Sequence, residues 1–281
     1  MKIGISDNRI WKEEHYKRLR GFGFDCYDFK MAETLAEPYT LSDHDFGEYL
    51  KNEKRLADEA GITIWQVHGP WRYPPADSTP SDRAERLEKM TRSIEGAAML
   101  GAKYWVVHPL MPYGTQDVPL GRAEETNELN LEFMSKLLPT AKREGVTICL
   151  ENMPMRDFSL ASPTAIVDFI DRIGDESLAM CLDTGHSNVC RDWLTPAETI
   201  RRHSDKVKVL HVHDNRRQND DHLPPYFGTI DWGDFTRALA EVNFPGVLSL
   251  ECTVPQAPRG ELREETYSLY AKIAKSLGGE K

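Results

Sequence analysis

The run Gly145-Val146-Thr147-Ile148-Cys149-Leu150-Glu151 carries the pattern that decides the fold. The segment before it, 129–144, is amphipathic, with apolar residues at three-to-four spacing and charges between them, which predicts a helix. Gly145 can end that helix in the left-handed conformation at little steric cost. The residues after it are nearly all apolar, as in a parallel strand that is covered on both faces. The predicted unit is therefore a helix, a glycine and a buried strand that ends in a carboxylate.

The same unit recurs along the chain. Gly61 and Gly101 also stand between an amphipathic segment and a strand-like run, and the pairs Ser162-Pro163 and Thr195-Pro196 are typical of helix starts. Short β-branched or aromatic runs predict eight strands, at 2–6, 24–29, 62–68, 104–108, 146–151, 178–183, 207–213 and 247–252. Amphipathic segments between them predict helices, among them 46–60, 82–100, 129–144, 164–173 and 261–277.

Eight alternations of strand and helix in 281 residues favour one closed (β/α)8 TIM barrel, of the α/β class, as a single domain over 1–281. An open doubly wound sheet is the alternative. The sequence lacks the nucleotide-binding signatures that are usual in such a sheet, because no GxGxxG follows the first strand and no GxxxxGK(S/T) occurs. No linker or low-complexity tract divides the sequence.

Composition narrows the class of protein. The amino terminus does not resemble a signal peptide, and no apolar stretch approaches the roughly 20 residues of a membrane helix, so we expect a cytoplasmic protein without a membrane partner. Five cysteines form no CxxC and fit a reducing compartment. A formal net charge of −10 argues against a nucleic-acid partner.

Polar residues stand at the ends of six of the eight predicted strands. These residues are His68, His108, Glu151, Asp183, the pair His211 and His213, and Glu251. A single strand-terminal acid is commonly a helix N-cap or a solvated loop residue. Parallel strands of a barrel, however, bring all their carboxyl ends to one face. Burying several carboxylates together is costly unless a cation compensates them, so the pattern predicts a divalent metal ion.

The predicted ligands are oxygen and nitrogen donors, which suits Mn, Mg, Co, Fe or Zn and offers no thiolate. His186, just beyond Asp183, would reach substrate or a further metal ion, or would bond a loop carbonyl instead. His211 and His213 are two residues apart on one face of a strand, so spacing alone does not choose between them. Four aromatic residues could stack on a bound ligand or belong to the core: Trp65, Trp71, Tyr73 and Trp105.

Six short runs carry a resemblance to a known family. They are Val67-His68-Gly69-Pro70, Val107-His108-Pro109, Leu150-Glu151-Asn152, Leu182-Asp183-Thr184-Gly185-His186, Leu210-His211-Val212-His213-Asp214 and Ser249-Leu250-Glu251. Together they resemble the xylose-isomerase-like superfamily of sugar isomerases and epimerases, over nearly the whole chain. The most specific is Leu-Asp-Thr-Gly-His, and the later runs His222-Leu223-Pro224-Pro225 and Gly228-Thr229-Ile230-Asp231-Trp232 strengthen the match.

The resemblance implies one catalytic metal ion, with manganese as the first choice, bound by Glu151, Asp183, His211 and Glu251. It implies that Glu151 and Glu251 exchange a proton at the carbon beside a carbonyl of a sugar, keto-sugar or sugar phosphate. The small-molecule carbohydrate is the expected partner, and a homo-oligomer is left open. Expected substrate contacts are His186, Arg217, His68, His108 and His222, with Arg216 as an almost equal candidate to Arg217.

Other chemistries use the same barrel. Apurinic nucleases of the endonuclease IV type carry three zinc ions, and their additional ligands would correspond to His68, His108, His186, Asp220 and His222, which are all of the right type. The acidic composition and the His-Leu-Pro-Pro run favour the sugar-acting branch. A sugar lyase or dehydratase could use the same site, while a non-catalytic sugar-binding barrel is disfavoured because all four ligands are retained.

Overall fold

Eight strands and nine helices follow one another in the part of the chain that the computed structural model describes, which is 1–31, 38–71, 74–75, 77–254 and 260–279. The strands are β1 Ile3–Ser6, β2 Cys26–Lys30, β3 Thr63–His68, β4 Tyr104–Val107, β5 Thr147–Glu151, β6 Leu178–Asp183, β7 Val207–His211 and β8 Leu248–Leu250. The helices are α1 His15–Phe22, preceded by a 3-10 turn, α2 Asp43–Ala60, α3 Pro80–Met99, α4 Ala123–Glu144, α5 Pro163–Ile173, α6 Thr184–Val189, α7 Pro196–His203, α8 Trp232–Glu241 and α9 Glu261–Leu277.

All eight strands are parallel and form one sheet, in the order β7-β6-β5-β4-β3-β2-β1-β8. A parallel bridge between Val212 and Leu250 joins the two ends, with the Val212 amide donating to the Ser249 carbonyl at 2.8 Å. The sheet is therefore a nearly closed barrel with helices between its strands. This confirms the predicted TIM barrel, and all eight predicted strands are present.

Local sequence explains where several helices begin and end. Both predicted helix starts are confirmed: Ser162 accepts a hydrogen bond from the amide of Ala165 at the start of α5, and Thr195 forms a capping box with Glu198 at the start of α7. A further capping box at the start of α3, between Thr79 and Asp82, was not predicted. Gly61 and Gly145 end α2 and α4 at φ values of 69° and 67°, as their position predicts.

Apolar side chains lie in two places. The main core fills the layer between the strands and the helices. A smaller cluster fills the lumen of the barrel and consists of Val106, Cys149, Ala179, Cys181 and Val209. All five cysteines are free and buried, as expected for small core residues. Among the described residues, none of the helices has the length and apolar character to cross a membrane.

The aromatic candidates for sugar stacking separate in space. Trp105 is fully buried and its indole donates to the Ser93 hydroxyl at 2.8 Å, so it belongs to the core. Trp65 packs against the lumen cluster and lines a cavity with Met1, at the opposite end of the barrel from the strand C-termini. Trp71 is 41 % exposed and lies beside His108. Tyr73 falls outside the described residues.

Candidate metal centre

The strand-end residues do meet at one face of the barrel. Glu151 and Asp183 are the last residues of β5 and β6, His68 and His211 are the last of β3 and β7, and Glu251 directly follows β8. The side chains of Glu151, Asp183 and His211 are at most 1 % exposed. Because the strands are parallel and in register, residues far apart in sequence are held close together without any loop to position them.

The central group consists of Glu151, Asp183, His211 and Glu251. One ligand atom from each lies within 4.8 Å of the others. His211 Nδ1 is 2.9 Å from Glu151 Oε1 and 3.2 Å from Glu251 Oε2. The barrel thus brings together the four residues that the resemblance implies as ligands. Three are carboxylates and one is an imidazole, and this mixed set of oxygen and nitrogen donors could hold a divalent ion.

His211 and His213 face different carboxylates. The ring of His211 lies between Glu151 and Glu251, whereas His213 Nε2 lies 2.9 Å from Asp183 Oδ2 and 3.7 Å from Asp220 Oδ1. Both imidazoles are fully buried. The two rings therefore contact different carboxylates, although the residues are only two positions apart at the end of β7. His211 therefore belongs to the central group.

A second group lies beside the first and consists of His186, His213, Asp220 and His222. Asp220 Oδ2 is 3.1 Å from the Nε2 atoms of both His186 and His222, and the rings of His213 and His222 stack at 3.9 Å. The Nδ1 atom of His186 lies 2.7 Å from the Asn152 carbonyl oxygen, so His186 does bond a backbone carbonyl, as one of the two interpretations expected. Its other ring nitrogen faces the carboxylate of Asp220.

His68 and His108 complete the polar cluster on the other side of Glu151. His108 Nε2 is 3.1 Å and His68 Nε2 is 3.5 Å from Glu151 Oε2. His68, Glu151 and His211 form a third group whose ligand atoms lie within 4.8 Å of one another. Glu151 is therefore shared between two groups of candidate ligands.

Buried atoms without a hydrogen bond show what the cluster lacks. Glu151 Oε2, Asp220 Oδ1 and His213 Nδ1 are buried and have no hydrogen-bond partner. An unsatisfied buried polar atom is costly and rare in native proteins. A cation would satisfy the two carboxylate oxygens, so the donor set fits a bound metal ion on its own chemistry.

The charges in the cluster shift the pKa values of its members in opposite directions. Burial alone raises the pKa of Glu251, but the charges of His211 and Lys30 more than offset this and lower the pKa to about 2. The pKa of Glu151 is held well below its usual value, because His211 and His108 outweigh its burial. Burial lowers the pKa of His222, and its hydrogen bond with Asp220 more than compensates, raising it to about 9. The acids are thus charged, as metal ligands must be.

A cavity of about 390 Å³ opens above the cluster, within the size range of small-molecule sites. His68, His108, His186 and His222 line it together with Glu151 and Glu251, so four of the five predicted substrate contacts are present at its wall. Trp71 and the side chains of Met111, Met153 and Met155 form its apolar part. A second cavity of about 900 Å³ adjoins it and shares Trp71, His222 and Glu251.

Arg217 and Arg216 are not among the residues that line either of these cavities. Arg217 has a φ of 65°, and its amide donates to Asn215 Oδ1 at 3.0 Å. Arg216 is exposed. Their predicted role as substrate contacts therefore has no geometric support in the described part of the chain.

Two residues of the centre were missed in the sequence. Asp28 Oδ2 lies 2.9 Å from His211 Nε2, and Lys30 Nζ lies 4.0 Å from Glu251 Oε1. Both are on β2, where Cys26, Asp28 and Lys30 alternate with Tyr27 and Phe29. That period of two puts the polar residues on the lumen side, and it was the signal that could have found them.

The sequence model of the family described as xylose isomerase-like TIM barrel matches residues 16–272. The chain belongs to this family. One relative, a D-psicose 3-epimerase of Enterocloster bolteae, is 24 % identical over 267 residues, which cover 91 % of this chain and 83 % of the relative. A protein named "Probable endonuclease 4" of Mycoplasmopsis agalactiae is 25 % identical over 198 residues, or 68 % of this chain and 66 % of that protein.

The fold is also similar to that of the IolI protein, whose crystal structure contains a zinc atom. The TM-score is 0.71 at 18 % identity, and the match covers 99 % of this chain and 96 % of IolI. A protein of similar fold thus binds a metal ion, and the acidic and histidine cluster of this chain could hold one. The relatives include both a sugar epimerase and a protein named as a nuclease, which are the two activities weighed from the sequence.

Proposed function

We propose that this protein is a metal-dependent isomerase or epimerase of a sugar, keto-sugar or sugar phosphate. The observation that carries the proposal is the convergence of Glu151 and Glu251 on His211 Nδ1, at 2.9 Å and 3.2 Å. Two carboxylates that flank one position can remove a proton from one face of a substrate and deliver it to another. The D-psicose 3-epimerase relative supports the assignment of this chemistry.

Glu151, Asp183, His211 and Glu251 would hold the ion, with manganese as the first choice. A divalent ion there supplies Lewis-acid polarisation of the substrate carbonyl and neighbouring hydroxyl. The chain's own residues do the rest. Glu151 and Glu251 act as acid and base at the carbon beside the carbonyl, one accepting the proton that leaves and the other delivering a proton in its place. His68, His108, His186 and His222 line the cavity and contact substrate hydroxyls.

Solvent-deuterium exchange tests this proposal. Free ketoses, keto-sugars and sugar phosphates are incubated in D₂O with the Mn²⁺-loaded protein, and incorporation at the carbon beside the carbonyl is followed by NMR. We expect exchange with at least one class, and its loss in both Glu151→Gln and Glu251→Gln. Glu53→Gln is the matched control, because Glu53 is a buried carboxylate on α2 that binds Tyr16 away from the site.

Exchange that survives in both site variants would exclude the two-glutamate scheme. Loss of a substituent during exchange would indicate the lyase or dehydratase alternative.

A second candidate function is hydrolysis of a phosphate ester by a trinuclear zinc centre. The second and third groups favour it, because His186, Asp220 and His222 on one side and His68 and His108 on the other adjoin the central group. Metal analysis of the purified protein separates the two. About one equivalent of Mn supports the epimerase, whereas three equivalents of Zn, together with cleavage of DNA at an abasic site, would support the nuclease.

A further inference from the structure

Asp28 is a fully buried carboxylate in the lumen of the barrel. Its strand, β2, presents Cys26, Asp28 and Lys30 to the lumen of the barrel, and Asp28 has no exposure to solvent there. A charged group in such surroundings costs several kcal/mol unless it is paired and hydrogen-bonded. The position therefore requires partners that compensate the charge.

Two side chains supply that compensation at the same oxygen. Asp28 Oδ2 accepts a hydrogen bond from Gln66 Nε2 at 2.8 Å and lies 2.9 Å from His211 Nε2. Gln66 is the strand neighbour of Asp28, since the two residues pair in register between β2 and β3. His211 reaches Asp28 from β7, which is separated from β2 in the sheet by β1 and β8, so this contact crosses the lumen.

The two ring nitrogens of His211 are consequently in different surroundings. Nε2 faces the interior acceptor Asp28, while Nδ1 faces Glu151 and Glu251 in the central group. A histidine that binds a metal ion with one nitrogen must carry its proton on the other, and a carboxylate at that proton fixes both the tautomer and the orientation of the ring.

We propose that Asp28 is the positioning residue for the metal centre: it keeps a proton on His211 Nε2 and directs the Nδ1 lone pair toward the central group. Gln66 holds Asp28 in place by donating to the same oxygen. The inference rests on the metal ion of the proposed function and adds to it two residues that touch neither the ion nor the substrate.

Metal titration tests the role without any need for a substrate. Mn²⁺ and Co²⁺ are titrated into the metal-free protein by calorimetry. We expect Asp28→Asn, which keeps the shape and removes the charge, to weaken binding by about 10- to 100-fold, and Asp28→Ala to weaken it at least as much. Gln66→Met, which removes the donor to Asp28, should have a smaller effect in the same direction. Glu53→Gln is the control for loss of a buried carboxylate and should change the affinity by less than about twofold, because Glu53 contacts Tyr16 and Arg9 and not the metal centre.

The tautomer gives a readout that a merely structural Asp28 would not move, and its measurement in the wild type needs no variant of Asp28. In the Zn²⁺-loaded wild type labelled with ¹⁵N-histidine, the ring signals missing from His211→Gln identify His211. We expect Nε2 to carry a slowly exchanging proton and Nδ1 to bind zinc, and we expect that proton to exchange rapidly in Asp28→Ala. Zinc bound at Nε2 would overturn the inference even if the Asp28 variants failed to fold.

The titration distinguishes failure of the metal site from failure of the proposed role of Asp28. If the wild type binds no divalent ion, the proposed function itself fails. If the wild type binds Mn²⁺ or Co²⁺ and both Asp28 variants bind equally well, the metal centre stands and only the role of Asp28 is wrong.

Discussion

Asp183 serves two purposes at the end of β6. Its Oδ1 accepts a hydrogen bond from the His186 amide at 2.6 Å and so caps α6, while its Oδ2 lies 2.9 Å from His213 Nε2. Capping a helix is the ordinary role of a strand-terminal acid. Here the cap uses one oxygen and leaves the second facing the cluster, so Asp183 can cap α6 and be a metal ligand at the same time.

Gly185 allows this close packing between α6 and the end of β7. A Cβ at this position would overlap the imidazole ring of His213. We expect Gly185→Ala to destabilise the protein by about 1–3 kcal/mol through overpacking, and to weaken metal binding because His213 must move. Denaturant unfolding and Mn²⁺ titration would measure the two effects.

Gly47→Ala is the matched control, because Gly47 lies inside α2 and an added Cβ meets only the Met99 methyl at 3.5 Å. Helix propensity then predicts a gain of roughly 0.5–1 kcal/mol. If both alanine variants behaved alike in stability and metal binding, close packing on His213 would not be the reason for glycine at 185.

At the scale of elements, α9 is attached to the barrel through β1 by a buried polar contact. The Tyr267 hydroxyl donates to Asp7 Oδ2 at 2.6 Å, and Asp7 follows directly after β1. Burial raises the pKa of Asp7, but the contacts with His15 and Tyr267 outweigh burial and lower it overall, so the acceptor is charged. The first and last elements of the chain are thereby joined.

Tyr267→Phe should cost about 1.5–3 kcal/mol, because it removes a buried hydrogen bond to a charged acceptor. Tyr113→Phe provides the comparison, since the Tyr113 hydroxyl donates to Glu125 at 2.7 Å but does so at the surface, and its loss should cost no more than about 0.5 kcal/mol. Chemical denaturation of both variants measures the difference. Equal costs would show that the Asp7 contact does not hold α9.

At the scale of the whole molecule, closure of the barrel is what makes the metal centre. Glu151 ends β5 and Glu251 follows β8, so the two proposed acid/base groups come from strands that are not neighbours in the sheet. Several buried carboxylates meet there, and their mutual repulsion must be compensated in the folded state. In the metal-free protein part of that compensation comes from His211, whose pKa is lowered by burial but raised overall by the neighbouring Cys181, Glu251 and Glu151.

A bound metal ion should therefore stabilise the folded protein. At 100 times its dissociation constant, an ion that binds only the folded state adds about 2.7 kcal/mol, which corresponds to a rise in Tm on the order of 5–10 °C for a chain of this size. Thermal unfolding with EDTA and with Mn²⁺ measures the shift, and Glu151→Gln should reduce it. An unchanged Tm at saturating Mn²⁺ and Zn²⁺ would contradict a metal site in this cluster.

The sequence by itself determined the strand pattern, the helix caps at Ser162 and Thr195, and the set of polar residues at the strand ends. These are local properties, because periodicity and capping depend on residues only a few positions apart. Local patterning also indicated that the strands are parallel, and parallel strands place their ends on one face. The resemblance to the family then singled out Glu151, Asp183, His211 and Glu251 among these residues, because spacing alone did not choose between His211 and His213.

Only the tertiary structure decided which nitrogen of His211 faces which acid, why His213 belongs to the second group, and that Asp28 and Lys30 reach the centre from β2. It also removed Arg217 from the walls of the cavities and placed Trp65 at the opposite end of the barrel. The physical reason is that these facts depend on side-chain directions across a closed lumen, where residues as distant in sequence as 28 and 211 come into contact. Spacing along a chain carries no information about such contacts until the barrel closes.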